Sequence, residues 1–146
     1  MTEDLAIIQG TMLTSSFTIH ILIDSRARHS FISQALAKVL GEKPEDLNCR
    51  MIIATHMGKS LETSSGYKSK KIQIGEIEFL ADLILLEIQD FDVILGMDFL
   101  TKYNTMMDCK AKIVSLRDGD SIIKFQGQGR ANEKKWVSAL KADKIL

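Results

Sequence analysis

Ile21-Leu22-Ile23-Asp24-Ser25-Arg26-Ala27-Arg28-His29-Ser30 is an apolar strand that runs into an acid and then into a polar turn. Upstream, Phe17, Ile19, Ile21 and Ile23 alternate with Thr18, His20 and Leu22, the period-two pattern of a strand with one face on a core. An acid at the end of such a strand lies beside low-dielectric walls, where its pKa can be moved. Asp24 therefore has two readings: a functional carboxylate, or a turn or helix-capping residue.

Moving outward, Ser30 to Leu40 has apolar positions at Phe31, Ala35, Leu36 and Val39, with Gly41 and Pro44 beyond. These start and stop signals predict a short helix. Phe91-Asp92-Val93-Ile94-Leu95-Gly96-Met97-Asp98-Phe99-Leu100 reads as a buried strand that ends at a glycine, then one or two helical turns capped by Asp98. Gly96 lets another segment pass close by. Ile72 and Ile74, Gly75-Glu76, then Ile77, Phe79 and Ala81 predict a hairpin, and so do Ile113 and Leu116, Asp118-Gly119-Asp120, then Ile122, Ile123 and Phe125. The continuous apolar runs Leu83–Leu86 and Val93–Leu95 suit strands covered on both faces. Met51 to Leu61 reads as a hairpin with its tip near His56 to Lys59. Read alone it is an ordinary surface hairpin, in which Gly58 permits the turn. Gln126 to Gly129 looks like a linker, and Glu133 to Leu146 carries Trp136, Val137, Leu140 and Ile145 among lysines, as an amphipathic helix does. The pattern is that of a mainly-β domain of about eight to ten short strands, with one or two short helices and no solenoid repeat.

Composition limits the function. The 146 residues suit one domain, and 45% hydrophobic with 26% charged residues is a globular balance. Net charge is zero, from 19 basic and 19 acidic side chains, so no positive field favours nucleic acid, and binding by a small barrel of that kind is the weakest reading. No apolar run has membrane-spanning length, and the acidic start Met1-Thr2-Glu3-Asp4 is unlike a signal peptide, so an intracellular, cytoplasmic protein is expected. Cys49 and Cys109 are read as small buried hydrophobes rather than a bridge. With His20, His29 and His56 they fit no zinc spacing, so neither metal nor cofactor is expected. Arg28, Lys68, Lys70 and Lys71 read as a solvated strand edge.

Taken together, Asp24-Ser25-Arg26-Ala27, His29 to Ser33, Phe79 to Leu83, Ile94-Leu95-Gly96 followed by Met97 to Leu100, Met107-Asp108-Cys109 and the tail Val137 to Ala142 resemble the retropepsin family of aspartic proteases. The likeness is strongest to the version in plant gypsy-type retrotransposon polyproteins, and it runs along nearly the whole chain in order. The resemblance implies a small closed β-barrel over residues 1–126, with 127–146 leading toward a downstream polyprotein domain. It implies an endopeptidase that cuts peptide or polyprotein substrates as a homodimer, because the chain holds one Asp-Ser-x-Ala motif and two carboxylates must share a proton. Asp24 would be the catalytic acid, Ser25 a brace across the dimer, Ala27 a motif residue, and His56, Met57 and Gly58 the flap over substrate. Ile94, Leu95 and Gly96 would support the site.

Arg26 stands where the family has glycine. Its backbone N–H can still serve Asp24, but its cation favours ionised carboxylates and opposes a shared proton. The alternative is therefore a decayed or domesticated barrel that acts as a dimerisation or peptide-binding module.

Overall fold

The computed structural model describes residues 7–13, 18–54, 60–74, 77–127 and 144–145. Eleven strands and two short helices follow one another in these segments. They are β1 (Ile7–Leu13), β2 (Thr18–Asp24), β3 (Ser30–Ser33), α1 (Gln34–Leu40), β4 (Glu45–Ala54), β5 (Ser60–Ile74) and β6 (Ile77–Leu86). Then come β7 (Val93–Leu95), α2 (Met97–Lys102), β8 (Met106–Asp108), β9 (Ile113–Asp118), β10 (Ser121–Gln126) and β11 (Lys144–Ile145).

One sheet has eight strands in the order β1-β2-β7-β3-β6-β5-β4-β11, and a second has three, β10-β9-β8. The mainly-β expectation is met. The closed barrel is not: among the described residues β1 and β11 lie at opposite edges and do not pair. The reason lies at the outer edge of β4: β11 pairs there and takes the backbone groups that closure onto β1 would use.

The centre is built by alternation. In β2, Ile19, Ile21 and Ile23 enter one core cluster and Leu22 enters the other. In β3, Ile32 and Phe31 divide in the same way, and in β7 Val93 and Leu95 part from Ile94. Both faces of these strands are covered, as the continuous apolar run Val93–Leu95 required of β7. The first cluster also takes Leu36 and Ala37 of α1, Phe99, Leu100 and Tyr103, and Val114, Leu116 and Phe125 of the small sheet. Phe79 meets both Phe99 and Tyr103 edge-on there, the Phe79 and Tyr103 centroids 4.8 Å apart, while Phe99 and Tyr103 are tilted to each other.

Both predicted hairpins pair as expected, with Ile74 opposite Ile77 and Asp118 opposite Ser121. Gly119 supplies the left-handed turn residue, at φ +64°. Other expectations need correction. The helix expected from Ser30 starts at Gln34, with Ser33 as its cap: the Ser33 hydroxyl accepts from Leu36 N at 3.0 Å. Ser30 to Ser33 are strand because β3 is hydrogen-bonded between β7 and β6, and those partners override a helical pattern. Gly96, not Asp98, caps α2. Cys49 and Cys109 are exposed and free, because the residues around them lie on the uncovered β4 and the turn after β8. Lys68, Lys70 and Lys71 lie on β5, inside the sheet rather than at its edge. Lys144 and Ile145 pair with Ala54 and Ile53 as a strand, where the tail was expected to be helical. The outer edge of β4 offers the unpaired backbone groups that hold them there. The rest of that tail from residue 128 lies outside the described residues. Among the described residues no helix is long and apolar enough to cross a membrane.

Candidate active site

β7 is inserted between β2 and β3, parallel to β2 and antiparallel to β3. Its last residues lie beside the end of β2, with Leu22 opposite Ile94 and Ile23 opposite Leu95. This brings Asp24-Ser25-Arg26-Ala27 and Ile94-Leu95-Gly96, far apart in the chain, into one site. At Gly96 the backbone of the other loop passes so near that an added Cβ would come within 2.6 Å of the Ala27 carbonyl oxygen, and nearer still to that of His29. Only glycine fits there.

The two loops are tied by hydrogen bonds. Met97 N donates to Ala27 O at 2.7 Å, and Asp98 N donates to Arg28 O at 3.1 Å. Ser30, fully buried, accepts from Gly96 N at 2.9 Å and donates through its hydroxyl to Asp98 Oδ1 at 2.7 Å. The same Asp98 oxygen accepts from Phe99 N at 2.7 Å. Ser30 and Asp98 were not read as site residues from the sequence. A small polar residue opening the apolar run Ser30-Phe31-Ile32 was the available signal, since a buried hydroxyl must find partners.

Asp24 is 1% exposed. Arg26 N donates to its Oδ1 at 2.9 Å, and Arg26 Nε reaches the same oxygen at 3.4 Å. Among the described residues Asp24 Oδ2 and Arg26 Nη2 are buried with no hydrogen-bond partner. Burial pushes the Asp24 carboxyl above the ordinary aspartate range. The Arg26 backbone N–H, its charge and its side-chain hydrogen bond pull the other way, and burial is the stronger. The carboxyl is thus disposed to keep a proton, while the neighbouring guanidinium opposes it.

Ala27 is buried and closes the turn, its N donating to Asp24 O at 3.2 Å. Ser25 is half-buried in that turn. Ala54 and Ser60 pair at the ends of β4 and β5, so the strands of the expected flap hairpin are present. His56, Met57 and Gly58 at its tip lie outside the described residues. Among the described residues no group of three or more His, Cys, Asp or Glu is placed to hold a metal.

Comparison with known proteins adds to this geometry. A family model described as retroviral aspartyl protease matches residues 1–121. The retroviral protease-like domain of Ddi1 from Leishmania major is similar in fold, with a TM-score of 0.63 and 14% identity, over 88% of this chain and 98% of that one. A retropepsin-like aspartic protease from Rickettsia conorii matches with a TM-score of 0.46 and 16% identity, over 70% of this chain and 83% of that one. No curated protein matches. The family model runs through both loops that build the Asp24 site, and the chain belongs to the retroviral aspartyl protease family.

Proposed function

We propose that the chain is an aspartic endopeptidase that works as a homodimer, with Asp24 of each copy forming the catalytic pair. The observation that carries this reading is Asp24 itself, buried at the end of β2, its Oδ1 held and its Oδ2 unbonded among the described residues. One carboxylate would take a proton from water while the other holds the proton destined for the scissile carbonyl. Burial favours the protonated partner that this division needs. Ser25 would brace the two loops across the dimer, and His56, Met57 and Gly58 would cover an extended peptide. The resemblance to gypsy-type retrotransposon sequences supports a polyprotein as substrate and the cytoplasm as location. On that reading residues 1–126 are the protease and 127–146 lead onward.

Arg26 favours a second reading, because its guanidinium is already on the catalytic carboxylate. A domain retained for dimerisation or peptide binding would show no turnover. A peptidase assay of the native chain, Asp24→Asn and Arg26→Gly, with mass measured in solution, separates the two. Acid-pH cleavage that pepstatin blocks, and that falls by about a hundredfold or more in Asp24→Asn, is the expected result. A native chain that dimerises but never cuts, even as Arg26→Gly, supports the binding module instead.

A further inference from the structure

Asp24 and Arg26 each leave one polar atom unsatisfied, and the two atoms are chemically complementary. Asp24 Oδ2 is an acceptor and Arg26 Nη2 is a donor, both buried and both without a partner among the described residues. Within the chain the pair is joined through one carboxylate oxygen only, by Nε at 3.4 Å, which is long for a charge-assisted hydrogen bond. Arginine and carboxylate ordinarily meet through two parallel bonds. Leaving either atom buried and unpaired is costly.

A two-fold axis resolves both deficits together. In a symmetric dimer, if residue i of one copy meets residue j of the other, then j meets i as well. A lone donor and a lone acceptor on the same short loop are therefore self-complementary. Resting on the homodimer reading above, we propose that Arg26 of each copy reaches Asp24 of the other. The four side chains then form a closed cluster of zero net charge at the dimer axis. In the single chain both unpaired atoms are covered, and the Arg26 side chain is 22% exposed against 1% for Asp24, so the exchange requires Arg26, the outer member, to swing off its own Asp24 toward the partner. The cluster both fastens the dimer and keeps its carboxylates from sharing a proton. Arg26 is in this sense a latch on the catalytic pair, and a substrate must displace it.

Charge segregation tests this. Asp24→Arg chains carry only cations at the site, and Arg26→Asp chains carry only carboxylates. Neither should form homodimers, whereas their equimolar mixture should dimerise within about tenfold of native affinity. Arg26→Ala alone should weaken the dimer about thirtyfold or more, the loss typical of truncating one side of a buried charge pair. Sedimentation measures the association, and circular dichroism checks that each variant is folded. If Asp24→Arg does not fold, the Arg26→Ala affinity decides. Dimerisation of Arg26→Ala as tight as native, or a folded mixture that stays monomeric, overturns the latch and leaves the endopeptidase reading standing. A native chain that is monomeric at all concentrations overturns both.

Discussion

At the scale of single residues, Asp24 is set by opposing forces. Burial raises its pKa, and Arg26 lowers it by less. The folded chain therefore binds this proton more tightly than the unfolded chain does. The stability from this group is full below the unfolded value of about 3.9 and is lost as pH rises through the raised folded value. Asp24→Asn removes the buried charge, so its thermal midpoint should exceed the native one at pH 7, with the gap closing toward acid pH. A lower midpoint at pH 7 would mean that the Arg26 contact outweighs burial. Arg26→Gly keeps the backbone N–H but removes the charge and the side-chain hydrogen bond. Asp24 should then titrate higher, and cleavage should extend to higher pH. At protein concentrations that keep the variant dimeric, a gain of about tenfold in kcat/KM, roughly 1.4 kcal/mol of barrier, is expected. A pH–rate profile of both proteins reads this directly.

At the scale of elements, the junction of β3, β7 and α2 holds the loop that carries Asp24. Ser30→Ala would leave the buried Gly96 N–H without its acceptor, at a cost of about 1–3 kcal/mol. Gly96→Ala would drive a methyl group into the carbonyls of His29 and Ala27, which are backbone and cannot rotate away. Overpacking of this kind costs about 1–3 kcal/mol, and urea midpoints should fall for both variants. Substitutions at this junction should also lower kcat, since they move the loop that carries Asp24. The Ser30–Asp98 contact could not be read from sequence: 68 positions separate the two residues. The insertion of β7 between β2 and β3 is what joins them.

At the scale of the molecule, two apolar clusters lie on the two faces of the large sheet. Phe79 is fully buried and touches the aromatic group, so Phe79→Ala should cost about 3–5 kcal/mol. Val39 is 64% exposed on α1, and Val39→Ala should change stability by less than about 0.5 kcal/mol. Equilibrium unfolding of the pair checks that the core lies where the sheet puts it.

The sequence by itself determined the strand ending at Asp24, the strand ending at Gly96 and both hairpins, because alternation and turn residues are local signals. It also located Asp24 and Gly96 as residues with a special environment. Ser30 to Ser33 were misread because their helical pattern was genuine and lost only to hydrogen bonds from β6 and β7. The open sheet, the exposed cysteines and the partners of Ser30 were decided by tertiary structure alone. So was the turn of the Arg26 guanidinium onto Asp24. A sequence shows that a cation stands two residues from an acid, but which atom it touches, and which atoms it leaves unpaired, depends on what the folded chain packs around them.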